Sequence, residues 1–250
     1  MGKSSKTRRH DRQKVAEQLR AQQKAAERRR GLTIVALCSL VAVLIVGLAA
    51  YQPVKSWWDA RAYRGKDLTQ IGAPASVCQK VTTKPANGNQ QHLPDGSAVT
   101  YPDSPPAFGK HYITPDPMAT KFYTAQDRPA LGTLVHNEEH GYTILWYDDT
   151  AARSSHEMDQ IRAIASKFAG TTDLRDKFKA VPWMSSDGKP FPSGQHIAFT
   201  HWSVGGAQNA AAGQSKQVGV WQYCSSVSGA ALSTYMTRYP FSDSPEPTGP

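Results

Sequence analysis

Four of the eight histidines in this chain fall between His92 and His140, and the densest group is Val135-His136-Asn137-Glu138-Glu139-His140-Gly141. On a helix, His136 and His140 lie one turn apart on one face with Glu139 beside them, the H-x-x-E-H arrangement of a zinc peptidase. On a strand, His136, Glu138 and His140 share a face instead, and that grouping also suits a metal. A peptidase helix needs several turns. Here Pro129 lies close upstream, and Gly141 is followed at once by the strand-like run Tyr142 to Tyr147 (YTILWY), so there is little room for one.

His111 sits in a Pro-rich stretch, Pro102 to Pro117, that is too rich in turn formers for regular structure and must be a shaped loop. A rigid loop holds a ligand at little ordering cost. Neutral imidazoles suit copper or zinc, and a nearby Met118 adds a soft atom, although a lone methionine is more often packing. The expected ligand set is therefore His111, His136 and His140, with Glu139 as a ligand or as the group that orients one, and His92 as a fourth. A different chemistry would make the site a metal-dependent hydrolase with Glu139 as general base. A third reading makes the domain a cell-envelope interaction module whose histidines are structural. His196 and His201 are five residues apart on a strand and point to opposite faces, so they read as structural. No phosphate loop, dinucleotide fingerprint or nucleophile elbow is present.

These residues need a scaffold. Ser154 to Ala169 has Met158, Ile161, Ile164, Ala165 and Phe168 at helical spacing, with Ser154 or Ser155 as cap and Gly170 as stop. A second short helix is expected over Asp173 to Lys179. Strands are expected at 142–147, 180–183, 196–202 and 218–223, with a hairpin over 92–101 turning at Asp95-Gly96. The stretch 204–213 reads as a loop. Strands interleaved with one or two helices predict an α+β domain with a mostly antiparallel sheet.

Cys78 and Cys224 stand at opposite ends of that domain. A disulfide between them would close a long loop, and paired metal-binding thiolates are the minority alternative. Cys38 is within an apolar run and packs as a small hydrophobe.

That run, Leu32 to Tyr51, has no charged residue and is apolar all round. At ~1.5 Å per residue it matches the ~30 Å hydrocarbon core. Arg28, Arg29 and Arg30 precede it, so the positive-inside rule puts the N-terminus in the cytoplasm and the domain outside, with Tyr51, Trp57 and Trp58 as an aromatic belt. A cleaved signal peptide, cut near Gly47 to Ala50, is the rival reading. The chain's formal charge of +9 sits almost wholly in the first thirty residues, which argues against a nucleic-acid-binding domain. The expected organisation is a basic, helical cytoplasmic tail (1–30), a single-pass anchor (31–52), a linker (53–70), the extracytoplasmic domain (71–239) and a Pro- and Ser-rich disordered tail (240–250). Partners other than the membrane, such as envelope proteins, leave no signature.

Two motifs together carry a resemblance. Tyr101-Pro102-x-x-Pro105-Pro106-x-x-Gly109-x-His111, then Val135-His136-Asn137-x-Glu139-His140-Gly141 ahead of Trp146-Tyr147, is similar to the bacterial domain-of-unknown-function family 3105, found largely in membrane-anchored actinobacterial proteins. His92 also fits that pattern. This chain departs from it at Ala107-Phe108, at Lys110, at His201 and at Glu138, where the family has leucine. The family has no assigned activity, so the resemblance implies relatives and no reaction.

Overall fold

A computed structural model describes residues 3–86, 90–206 and 216–250. The chain divides into two compact units, Met1–Trp58 and Asp59–Pro250. The first is one long helix, α1 (Lys3–Ala60). Within it Leu32, Val43, Leu48 and Tyr51 are all exposed, with no apolar face turned inward. The helix satisfies its own backbone groups, and it is long and apolar enough to cross a membrane. The side chains of Trp57 and Trp58 lie outside the described set.

The second unit is an α+β domain. Its sheet runs in the order β1 (Thr82–Pro85), β7 (Val218–Cys224), β6 (Ile197–Ser203), β4 (Thr143–Tyr147), β5 (Phe178–Pro182). Every neighbouring pair is antiparallel except β4 and β5. A parallel pair needs a crossover, and α3 (Asp149–Arg153) and α4 (Ser155–Lys167) supply it. Asp148 caps α3 by accepting from Thr150 N and Ala151 N, and the Ser154 hydroxyl caps α4 by accepting from Glu157 N.

Alternation along β4 divides the core. Leu145 and Tyr147 join Phe199 and Val220 beneath Ile161 and Ile164 of α4, together with Leu232 and Tyr235 of α5 (Gly229–Arg238). Ile144 and Trp146 face the other way, toward Ala198, Val181, Trp183 and Leu134 of α2 (Leu131–Glu139). Met118 packs against this second cluster, as a lone methionine usually does.

Several elements differ from expectation. The stretch 92–101 is not a hairpin. Asp95-Gly96 does turn, with Gly96 at φ +80°, but β2 (His92–Leu93) pairs in parallel with β3 (His111–Tyr112), which lies within the Pro-rich stretch. Lys177 ends a single 3-10 turn (Leu174–Asp176), so the short helix expected over 173–179 gives way to the start of β5. Helix α5 was not foreseen, although Ala231, Leu232 and Tyr235 repeat at helical spacing behind a Ser228 cap. The loop expected over 204–213 lies largely outside the described residues.

The segment 240–250 is not free. Asp243 is buried, its carboxylate accepts from the Ser203 hydroxyl (2.7 Å) and from Gly206 N (2.7 Å), and its carbonyl lies 2.9 Å from His201 Nε2. Its proline-rich composition hid specific polar anchors that repay the cost of ordering it. His201 also places Nδ1 at 3.2 Å from Tyr142 O, and His196 is bonded to Asp148, so both are structural as expected.

Cys78 and Cys224 are joined in a disulfide spanning 146 residues. It links the segment leading into β1 with the end of β7, across a bond type that persists in oxidising compartments. A loop of that length predicts a loss of roughly 3–5 kcal/mol on its removal. Urea unfolding of Cys78→Ser/Cys224→Ser should show that loss as a lower midpoint, and an unchanged midpoint would mean the bond adds nothing.

Candidate metal centre

The site is assembled from three short elements that no single stretch of sequence links. Pairing of β2 with β3 sets His92 opposite His111, and their rings meet edge to face at 4.5 Å. Helix α2 brings His136 and Glu139 up to them. It is a nine-residue helix with no side-chain N-cap. Too short to be stable alone, it forms through packing. Leu134 and Val135 are fully buried, and Gly132 lies so close to the Tyr112 ring that a Cβ there would sit 2.9 Å from it. Gly141 ends the helix at φ +91°, where a side chain would also strike the Phe241 carbonyl. The sequence therefore does form a helix through His136, stopping at the His140 cap.

Each inner ring is fixed by its far nitrogen. His111 Nδ1 lies 2.8 Å from Gly109 O, His136 Nδ1 2.6 Å from Tyr112 O, and His140 Nδ1 3.1 Å from Pro250 O. A carbonyl only accepts, so in each ring Nδ1 carries the hydrogen and donates it. A neutral ring then presents a bare lone pair at Nε2. This is the usual way a protein orients metal-binding histidines.

Those lone pairs converge. His111 Nε2 is 2.9 Å from Glu139 Oε2, yet neither atom closes a hydrogen bond of good geometry and both are fully buried. His92 Nε2 stands 3.7 Å from the same oxygen. His136 Nε2 faces His140 Nε2 at 3.0 Å. Burial and the neighbouring rings hold His136 down to about 4, and burial lowers His140 as well, so neither is charged near neutral pH.

Burial pushes the Glu139 carboxyl up, but the adjacent His111, Gln90 and His92 side chains outweigh it and the carboxylate is held below its usual range. Gln90 Nε2 donates to Oε1 at 2.9 Å, and Gln90 is fixed in turn by Gln217. One oxygen of Glu139 is thus tied and the other is among the imidazole nitrogens, which suits a ligand better than a general base.

His92, His111, His136 and Glu139 each place one ligand atom within 4.8 Å of all the others, a group that could hold a metal ion. His140 does not reach all four. It groups instead with Glu139 and with Glu246, which the sequence did not single out. Of the quartet only His92 is substantially exposed, at 39%, so the solvent side of the group is at β2.

Glu138 is the counterpoint to its neighbour. It is wholly buried, neither oxygen makes a hydrogen bond of good geometry, and burial, only partly offset by the Thr200 hydroxyl, drives its carboxyl well above the carboxylate range. The unfolded chain releases this proton near its ordinary pKa while the folded one keeps it. The residue therefore costs stability increasingly as pH rises above that value. Glu138→Leu should raise the unfolding free energy by about 1–3 kcal/mol at neutral pH. The gain should be larger at pH 8 than at pH 5, and a pH-independent effect would show that Glu138 does not titrate this way.

The family model described as "Protein of unknown function (DUF3105)" matches residues 92–249. No curated protein and no solved structure matches the chain. The matched span begins at His92, takes in His111, His136, Glu139 and His140, and ends beyond Glu246. It covers more than half of the sequence and both histidine motifs, and the chain belongs to the DUF3105 family, whose function is unknown.

Proposed function

We propose that this protein is a membrane-anchored, extracytoplasmic metal-binding domain, with His92, His111 and His136 as nitrogen ligands through Nε2 and Glu139 as the oxygen ligand. The observation that carries this is the fixed tautomer. Gly109 O and Tyr112 O take the Nδ1 hydrogens of His111 and His136, so in the neutral rings the buried Nε2 lone pair of His111 faces the Glu139 carboxylate and that of His136 faces His140. Opposed acceptors in a dry site are costly, and a cation turns that cost into bonding. Three imidazoles and a carboxylate suit zinc or copper. Ligand atoms around a tetrahedral ion with ~2.0–2.1 Å bonds lie about 3.4 Å apart. The quartet's ligand atoms are near that spacing, all within 4.8 Å of one another, with His111 and His92 at 2.9 and 3.7 Å from Glu139 Oε2. A hydrolytic role for Glu139 is less well supported, because neither of its oxygens is free to take a proton from bound water.

The N-terminal helix would place the basic tail in the cytoplasm and the domain outside, in keeping with the arginines before the apolar run and with the disulfide. In intact cells, added protease should then remove the domain and spare the tail. Loss of the tail with the domain protected would reverse the orientation.

Full-length protein purified in detergent without an affinity tag should carry zinc or copper in stoichiometric amount by elemental analysis. His111→Gln/His136→Gln should lose the ion held by this quartet while keeping its circular dichroism spectrum. A folded parent that holds no metal, and takes up neither ion on titration, would overturn the proposal and leave the histidines structural.

A further inference from the structure

The two histidines of the H-x-x-E-H motif fall in different groups of candidate ligands. His136 belongs with His92 and His111, whereas His140 is directed toward Glu139 and Glu246. His140 Nδ1 is committed to Pro250 O, so its Nε2 is a second bare lone pair, 3.5 Å from Glu246 Oε2 and 3.0 Å from His136 Nε2. Glu139, His140 and Glu246 each offer one atom within 4.8 Å of the others. Two carboxylates and a neutral imidazole at that separation repel unless something positive lies among them.

The chain takes trouble to bring Glu246 there. Its backbone N–H donates to Glu139 O at 2.9 Å. Pro245 and Pro247 flank it and limit its backbone freedom. Gly249 then passes so close to the face of the His140 ring that a Cβ would overlap it. Behind them the buried Lys177 donates to three carbonyls, His140 O (2.8 Å), Pro247 O (3.0 Å) and Gly249 O (2.6 Å). One ammonium group thus ties the end of α2 to the C-terminal segment just beyond Glu246. Composition alone gave this segment no reason to be ordered, and its anchors converge on the residue that adds a second carboxylate.

We infer that the centre holds two divalent cations, the second bound by Glu139, His140 and Glu246, with the Glu139 carboxylate shared between the two positions. This rests on reading the adjoining histidine quartet as a metal site. Shared carboxylates are the usual bridge in two-metal sites, whose ions lie about 3.5–4 Å apart. The C-terminal segment is then part of the centre and not a cover over it.

Equilibrium dialysis of the metal-stripped full-length protein in detergent against Zn²⁺, with a weak chelator to suppress surface binding, separates the possibilities. The parent should bind two Zn²⁺ per chain. Glu246→Gln and His140→Gln should each bind one, and His111→Gln/His136→Gln should also lose an ion. Glu246 is half exposed, so its amide variant should keep the parent's melting profile when stripped of metal, which excludes misfolding as the cause. A parent that binds one ion, with Glu246→Gln binding that ion equally well, would overturn the second position and leave the first intact. Two ions in both parent and Glu246→Gln would also overturn it, since Glu246 would not be a ligand. No binding by the parent would overturn both positions together.

Discussion

Each buried imidazole at this site has its outer nitrogen committed to a backbone carbonyl, and the rest of the centre follows from where those carbonyls are held. Two of the three, Gly109 O and Tyr112 O, flank His111 on the Pro-rich loop, so one loop orients both His111 and His136. The loop is fixed from the sheet. Trp221 and Tyr223 of β7 donate from the indole and the phenol to Pro105 O and Ser104 O, each at 2.7 Å, while Tyr101 donates to Lys110 O at 2.6 Å. These three aromatic side chains hold the loop that aims the histidines. The hydrogen bond between loop and ring sets the tautomer, the tautomer leaves the lone pair, and the lone pair is what makes the cluster capable of binding a cation.

Glu138 and Glu139 show how far position decides chemistry. They are adjacent on one short helix and both have no exposed surface. Glu139 meets Gln90 and the histidines, which hold its carboxyl below the usual range, whereas Glu138 is buried near Thr200 and burial drives its carboxyl well above that range. Separating two like groups by environment is a general device for giving them different roles. Here only one of the two has partners suited to an ion, and the other takes the place of an apolar residue.

Much of this was legible in the sequence, for identifiable reasons. The central strands announced themselves as β-branched and aromatic runs between turn residues, and α4 by its spacing and its serine cap. The histidines were legible as a cluster because their residue types are rare and their spacing is close. What escaped was long-range or held by tertiary contacts. Parallel pairing of two-residue strands leaves no local pattern, so His92 and His111 could be grouped only by motif. The choice between helix and strand at His136 depended on Tyr112 packing over Gly132, a contact between distant segments. Glu246 lay in a stretch whose prolines read as disorder, and only the Lys177 and Asp243 anchors explain its order.

The distribution of the ligands along the chain has a consequence for when the centre can exist. His92 and Glu246 stand near the two ends of the domain, and no pair among His92, His111 and His136 is closer in sequence than one loop or one helix allows. Contacts at such separations form late, because each requires the closure of an intervening loop. On the proposed orientation the chain would cross the membrane before that geometry exists. Any ion would then be acquired where the domain folds, and the occupancy of the proposed centre would report the ions of that compartment.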